Sequence, residues 1–387
     1  MMNKGNFDIL ITGFYSHFLT LHTLNHIFMY LKSLSLLNFK NFSQAEFDFG
    51  SRINCFAGNN GVGKTNMLDA IHYLSLCKSF FNPVDSQNIK HDEDFFVIQG
   101  WYMRDGEEEN IYCGVKRNTK KQFRRNRKDY QKLSDHIGLI PVVMVSPGDS
   151  VLITGGSDER RKFMNGVISQ FDRQYLEDLI AYNHALAQRN VLLKDFARKG
   201  YFDRDSLDIW TEQMIAPGER IYKSRLSFVE KMTPVFMHFH EHVSLGREEA
   251  GLRYCSQLHE GGFPGLMDQA VEKDRILQYS TCGIHKDDLE LLIGGFSMKR
   301  NGSQGQQKTY LLALKLAQFA FIRDLSGFHP ILLLDDIFDK LDHSRVEQII
   351  NLVSENNFGQ IFITDTSSER LGTILKDTGR EFKIFQL

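Results

Sequence analysis

The sequence predicts an α/β protein in two lobes: a head with a parallel central sheet and an antiparallel β subdomain, and a helical insertion forming the second lobe. Three observations carry this. A glycine-rich loop, Gly58-Asn-Asn-Gly-Val-Gly-Lys-Thr65, follows a short apolar strand and opens a helix. Far downstream, Pro330-Ile-Leu-Leu-Leu334 runs into Asp335-Asp336, and its unbroken apolar run fits a central parallel strand covered on both faces. Between about Asp158 and Phe239, apolar residues recur at helical spacing.

Taken in order, Ile9 to Tyr30 is moderately apolar, but Asn25 and the histidines His17, His22 and His26 interrupt it, so no spanning helix is expected. No small-residue cleavage site completes a signal peptide either. Met29 directly precedes a strand, Tyr30–Phe39, so the compact domain is expected to begin near Met29, with residues 1–28 a non-native or flexible extension. Alternation in Tyr30–Asn38 and Ala45–Phe49 predicts an antiparallel pair at the edge of the first lobe. Arg52–Ala57 reads as a buried strand, and a helix is expected from about Lys64 to Leu76. Phe95–Tyr102, Asn110–Arg117 and Pro141–Val145 read as further strands. In the helical stretch, Phe163, Val167, Phe171, Leu176, Leu179, Ile180 and Leu186 are expected in the core, and Pro217 and Pro234 near helix boundaries or in first turns. Strand character returns at Asp288–Ile293, and a helix is expected over Thr309–Arg323. Residues 29–160 and 277–387 would then form the head, and 161–276 the insertion.

Composition narrows the function classes. With 42% apolar and 24% charged residues in 387, this is an ordinary globular chain. A net charge of −2 means that nucleic-acid binding would have to come from local basic patches. The five cysteines are scattered without C-x-x-C spacing, so disulfides and zinc are not expected and a reducing cytoplasm fits best. No sustained heptad pattern marks a long coiled-coil arm.

The chemistry sits in a few short segments. Gly58, Gly61 and Gly63 let backbone N–H groups turn inward around phosphate oxygens, flanked by Asn59, Asn60 and Asn66, and the helix N-terminus adds a favourable field. Lys64 is expected to reach the β- and γ-phosphates of ATP, and the Thr65 hydroxyl to ligate Mg²⁺. Alone, two acids at a strand end would mean little. Paired with the phosphate loop they read as Walker B, with Asp335 holding the metal and Asp336 orienting or deprotonating the attacking water. Gly302-Ser-Gln-Gly-Gln-Gln307 lies about 30 residues earlier, before the long helix. A Ser/Gly/Gln loop in that place is often just an N-cap. Its Ser303, Gly305 and Gln306 nevertheless resemble the signature of ABC-type ATPases, which binds the γ-phosphate held by the other subunit. Leu341-Asp342 resembles the D-loop, Thr364 ends a strand where the switch residue of such ATPases would sit, and His285 is a polar residue more readily read as structural.

With these motifs in order, the chain resembles the RecF family of bacterial ABC/SMC-type recombination-mediator ATPases from about Met29 to its end. Further resemblance lies in Asn38-Phe-Lys-Asn-Phe42, Lys78-Ser-Phe80, Val145–Asp149, Arg160-Arg161, Gln188–Lys194 and Gly283–Asp288. Gly302 stands where Leu or Ala often precedes the signature serine, and Asn165 where an Asp commonly follows the paired arginines. The resemblance implies an ATP-dependent homodimer that associates in the cytoplasm with double-stranded DNA near single-strand gaps. With RecO and RecR it would promote RecA loading, as a slow, switch-like ATPase without a membrane role.

Lys116 to Lys132 holds nine Lys/Arg residues against one acid, Asp129. Its densest part, Arg124, Arg125, Arg127 and Lys128, is the expected DNA-backbone patch, with Arg160 and Arg161 secondary. The alternative reading of such a run is a solvated face. A transporter ATPase is disfavoured because the signature lies about 240 residues after Lys64. A long-armed SMC- or RecN-like protein is disfavoured by the missing heptads. An interaction module without turnover is disfavoured by intact Lys64, Asp335 and Asp336.

Overall fold

The computed structural model of the chain describes residues 28–246, 248–337, 358–377, 379 and 381–387. The chain divides into two compact units, residues up to Pro147 with Gln318–Leu387, and Gly148–Ala317.

The first unit contains two sheets. Strands β1 (Met29–Phe39), β2 (Phe42–Asp48), β4 (Phe95–Arg104), β5 (Glu107–Lys116), β6 (Gln122–Arg125) and β7 (Lys128–Asp129) form a six-stranded antiparallel sheet in the order β2-β1-β4-β5-β6-β7. The expected hairpin is there, but of its two strands β2 alone lies at the sheet edge, because β1 also pairs with β4 along its other side. The second sheet runs β14 (Phe382–Gln386), β3 (Ile53–Ala57), β13 (Ile361–Asp365), β12 (Ile331–Leu334), β8 (Val142–Val145). All of its pairings are parallel. Every residue of β3, β12 and β13 is buried, as strands covered on both faces must be. Helix α1 (Lys64–Leu76) packs into this core through Met67, Leu68, Ile71 and Leu74. Gln360 crosses between the sheets: its amide donates to the carbonyls of Leu31 and Gly50 and accepts the Leu31 N–H.

In the second unit, α2 (Ser157–Ile168), α3 (Arg173–Lys199), α4 (Arg204–Ser244) and α5 (Phe263–Leu277) accompany a three-stranded sheet, β11 (Phe296–Ser297)-β10 (Asp288–Ile293)-β9 (Ala250–Cys255). Helix α6 (Gln304–Ser326) carries the chain back across the division, and α7 (Ser368–Asp377) lies in the first unit. The sequence expectation put the lobe boundaries at 160/161 and 276/277. The compact units divide at 147/148 and 317/318 because β10 pairs with β9, and Arg160 of α2 forks onto Asp288.

Two expectations are corrected. Pro217 and Pro234 lie inside one 41-residue helix, α4, not at boundaries. A proline costs an intrahelical hydrogen bond, and packing outweighs it: a Cβ on neighbouring Gly218 would lie 2.4 Å from Phe263, so the helix is seated against α5 there. Ile180, expected in the core, is 53% exposed; Tyr175, Asp178 and Tyr182 take the inner face of α3.

Candidate functional site

The apolar strands β3, β12 and β13 end side by side, and their C-terminal ends deliver the polar groups that sequence alone could only place one at a time. The loop after β3 reaches α1 through Gly61 (φ 87°) and Gly63 (φ 114°), in the left-handed region that favours glycine. A Cβ on Gly63 would lie 2.6 Å from the Asn41 amide, so that position also needs the missing side chain. α1 then begins without a side-chain cap and without an acid in its first turn, leaving N–H groups facing the loop.

Lys64 is buried and donates to the carbonyls of Gly58 (2.6 Å) and Asn59 (2.9 Å), across the mouth of the loop. Thr65 Oγ1 donates to Asp335, 2.9 Å from Oδ1 and 3.0 Å from Oδ2. Thr364 Oγ1 donates to Asp335 Oδ1 at 2.8 Å and accepts the Asp336 N–H at 2.9 Å. Lys64, Thr65, Asp335, Asp336 and Thr364 are thus gathered from three strand ends. Burial pushes the Asp335 carboxyl above the usual carboxylate range; the hydroxyls of Thr364 and Thr65 and the Lys64 ammonium pull the other way, and the neighbouring Asp336 charge adds to the push. A hydroxyl beside a buried carboxylate is an oxygen-only donor pair of the kind a hard divalent cation takes, so the residues fit Mg²⁺. Asp336 holds φ 48°, uncommon for a residue with a Cβ, and the Thr364 hydroxyl fixes it there.

The turn before β2 supplies what sequence reasoning left without a role. Asn41 donates to the Val62 carbonyl (2.9 Å) and accepts from the Asn66 amide (2.8 Å), bracing the loop from outside. Asn66, expected on the nucleotide, spends its amide nitrogen on that brace. Asn59, Asn60 and Gly61 are exposed. Lys40 pairs with the fully buried Asp69 of α1, which also accepts from Ser79 and the Phe80 N–H. The segments 38–42 and 78–80 were both visible in the sequence, and their common partner, Asp69, is the link that pattern could not give.

Ser303, Gly305 and Gln306 belong to the second unit. Ser303 and Gly305 are exposed, and Ser303 caps α6 reciprocally with Gln306. Gly302 has no room for the commoner Ala or Leu, since a Cβ would lie 2.2 Å from Met298 Sδ and 2.8 Å from its carbonyl oxygen. Leu341 and Asp342 lie outside the described residues. His285 is structural: Nδ1 faces the Tyr182 hydroxyl and Nε2 the Ser280 carbonyl, and burial pulls its pKa down to about 4.

The basic residues separate into two kinds. Asn126 (φ 49°) and Arg127 (φ 67°) form the two-residue turn between β6 and β7, leaving Arg127 and Lys128 exposed at its tip. Arg124 pairs with Asp129 (2.8 Å), and Arg125 forks onto Glu109. Arg160 forks onto Asp288, and Arg161 donates to the Asp287 carbonyl, so both are tied into their own unit. Asn165 accepts from Tyr175 and Arg225. All five cysteines are free. Among the described residues no helix is long and apolar enough to cross a membrane.

Comparison with known proteins bears on this arrangement. The RecF/RecN/SMC N terminal domain family matches residues 30–379. The chain is 54% identical over 360 residues to the DNA replication and repair protein RecF of Bacteroides thetaiotaomicron, covering 93% of this chain and 97% of that protein. It is 50% identical over 359 residues to the protein of the same name from Flavobacterium johnsoniae, covering 93% and 100%. A solved structure of the recombination mediator protein RecF-ATPrS in the RecFOR pathway superposes with a TM-score of 0.83 at 30% identity, covering 93% of this chain and 96% of that one. The Smc head domain of Pyrococcus furiosus, at 17% identity and a TM-score of 0.52, shares the fold.

Proposed function

The chain belongs to the RecF family of DNA replication and repair proteins, and from that premise we propose that it is a slow ATPase working as a DNA clamp. Two copies bind ATP between them, hold double-stranded DNA near a single-strand gap, and with RecO and RecR promote RecA loading in the cytoplasm. The observation that carries this reading is the hydrogen-bonded chain Thr65–Asp335–Thr364–Asp336 beside Lys64.

Lys64 leaves the Gly58 and Asn59 carbonyls for the β- and γ-phosphates, and the N-terminus of α1 receives their charge. Thr65 and Asp335 would hold Mg²⁺, which would supply charge neutralisation on the phosphoryl group. Asp336, whose backbone is fixed by Thr364, presents its carboxylate to the attacking water. Ser303 and Gly305 of the second copy close the site on the γ-phosphate. Loss of that phosphate releases the pair, so hydrolysis times the separation.

Arg127 and Lys128, exposed at the β6–β7 turn, make the first DNA-backbone contacts. Arg124 and Arg125, by pairing with Asp129 and Glu109, hold the hairpin that presents them. Each phosphate neutralised adds about −0.9 to the log–log salt slope of binding.

The deciding measurement is mass by light scattering at micromolar protein, with and without ATP and Mg²⁺. The mass is expected to double with nucleotide, and the Lys64→Met variant to remain at the single-chain mass. Asp336→Asn should keep the double mass while slowing phosphate release on the order of a hundredfold or more. An unchanged mass with ATP and Mg²⁺ overturns the clamp.

A further inference from the structure

We propose that Glu248 is a positioning residue for the Ser303 turn: its carboxylate holds the Gln306 amide in the orientation that braces Ser303. The proposal rests on the reading of Ser303 as the group that meets nucleotide across the dimer.

Three hydrogen bonds form a directed relay. The Ser303 N–H donates to Gln306 Oε1 at 2.6 Å, the Gln306 N–H donates to Ser303 Oγ at 3.3 Å, and Gln306 Nε2 donates to Glu248 Oε1 at 2.8 Å. The two ends of the relay settle which way the amide points. A backbone N–H can only donate and a carboxylate can only accept, so the amide oxygen must face Ser303 and its NH₂ must face Glu248. Flipping the amide would set donor against donor at Ser303 and oxygen against oxygen at Glu248. The carboxylate therefore selects one orientation through a charge-assisted bond, which is stronger than a neutral one.

The consequence reaches the serine hydroxyl. Its oxygen accepts the Gln306 N–H, so its own proton is left to donate outward, as a phosphate oxygen requires. Both polar ends of the Gln306 side chain are used within the chain, which makes it a brace for the site. Glu248 is itself held in place. The linker after α4 turns through Leu245 (φ 61°) and Gly246 (φ 68°), and the backbone carbonyl of Glu249, next to Glu248, accepts the Gly294 N–H at 2.7 Å beside β10. On the other side of the turn, Gln307 donates to the Gly302 carbonyl at 3.1 Å.

The test compares Glu248→Ala and Glu248→Gln with the wild-type full-length chain, using hydrogen exchange over residues 302–307 and ATP-dependent self-association. Glutamine keeps an acceptor and serves as the conservative variant. In Glu248→Ala the protection of the Ser303 amide should fall about tenfold, as expected for one lost bond to a charged group. The protein concentration at half-association with ATP and Mg²⁺ should rise by a similar factor, with nucleotide affinity at high dilution unchanged. Glu248→Gln, which can still accept but no longer excludes the flipped amide, should recover part of both. Unchanged protection in Glu248→Ala, or no recovery in Glu248→Gln, overturns the assignment. If protection falls as expected but wild type shows no nucleotide-driven association, the clamp fails and the Glu248 assignment stands.

Discussion

The core of the phosphate-loop unit is packed with aromatic rings, whereas the interior of the other unit is crossed by ion pairs. In the first, Phe56 stacks on Phe385 at 4.9 Å, and Phe49 meets Phe362 edge-on at 5.0 Å. In the second, Arg225 pairs with Asp287 at 2.7 Å with side chains 1% and 0% exposed, and Arg189 with Asp274 at 2.6 Å, both at 0%. Apolar burial is non-directional, and the preferences of ring pairs are shallow enough to tolerate small adjustments. A guanidinium does not: Arg225 reaches Asn165 of α2, Tyr175 of α3, and the Ile284 carbonyl and Asp287 of one turn, fixing three segments to α4 with one side chain. Stability is a poor reason for such a pair, because desolvation consumes much of the attraction. Burial pushes the Asp287 carboxyl upward even with Arg225 beside it. What the pair supplies is one arrangement of helices around the segment leading to β10.

The comparison breaks most directly at Arg225. Arg225→Met leaves Asp287 as an uncompensated buried charge and should cost about 3–5 kcal/mol. Phe362→Leu, a smaller apolar side chain in the other unit, should cost less, about 1–2 kcal/mol, from the small cavity and the lost ring contacts. Urea unfolding, with hydrogen exchange assigning each loss to a unit, checks both. Equal costs would mean that the aromatic core is as exacting as the ionic one.

Acid should act on both units alike, through a device they share. His136 in one unit and His285 in the other each place Nε2 on a backbone carbonyl and Nδ1 on a tyrosine hydroxyl. A carbonyl only accepts, so Nε2 carries a proton in both rings, and burial pulls both pKa values down to about 4, which leaves the rings neutral near pH 7. Between about pH 6.5 and 4 the unfolded chain binds a proton at each that the fold refuses. Stability therefore falls as pH drops through that window, by up to about 1.4 kcal/mol per pH unit for each ring, and levels off below it. Replacing either histidine by Gln should remove one proton from the slope of urea stability against pH. An unchanged slope would show that the ring is already protonated in the fold.

The parts legible in the sequence are those where a local pattern and its place in the fold coincide. The phosphate loop, the apolar β12 ending in two acids, and Thr364 at the end of β13 follow from strand-end chemistry that any parallel sheet imposes. The α4 prolines failed because tertiary seating overrode a local rule, and Ile180 because helical spacing names a face without saying which side is covered. The basic run was visible as charge, but pairing is a property of the folded hairpin. Glu109 lies sixteen residues from Arg125, and only the β5–β6 register brings them together. The roles of Asn41 and Glu248 stayed hidden for the same reason: each braces, from a distant turn, a loop that is proposed to meet phosphate.

Those two braces give the smallest and sharpest test of the contrast. Asn41 acts through neutral amide bonds, to the Val62 carbonyl and the Asn66 side chain, at an exposed position. Glu248 acts through a carboxylate. Neutral bonds of this kind contribute about 1 kcal/mol or less, since water replaces them readily. Asn41→Ala should therefore weaken nucleotide binding by a few-fold and leave urea stability nearly unchanged, against the about tenfold loss of association expected for Glu248→Ala. Titration of a fluorescent ATP analogue at high dilution measures the first effect without involving the second copy. If Asn41→Ala costs as much as Glu248→Ala, charge is not what separates the units at their functional loops. The difference would then be confined to their cores.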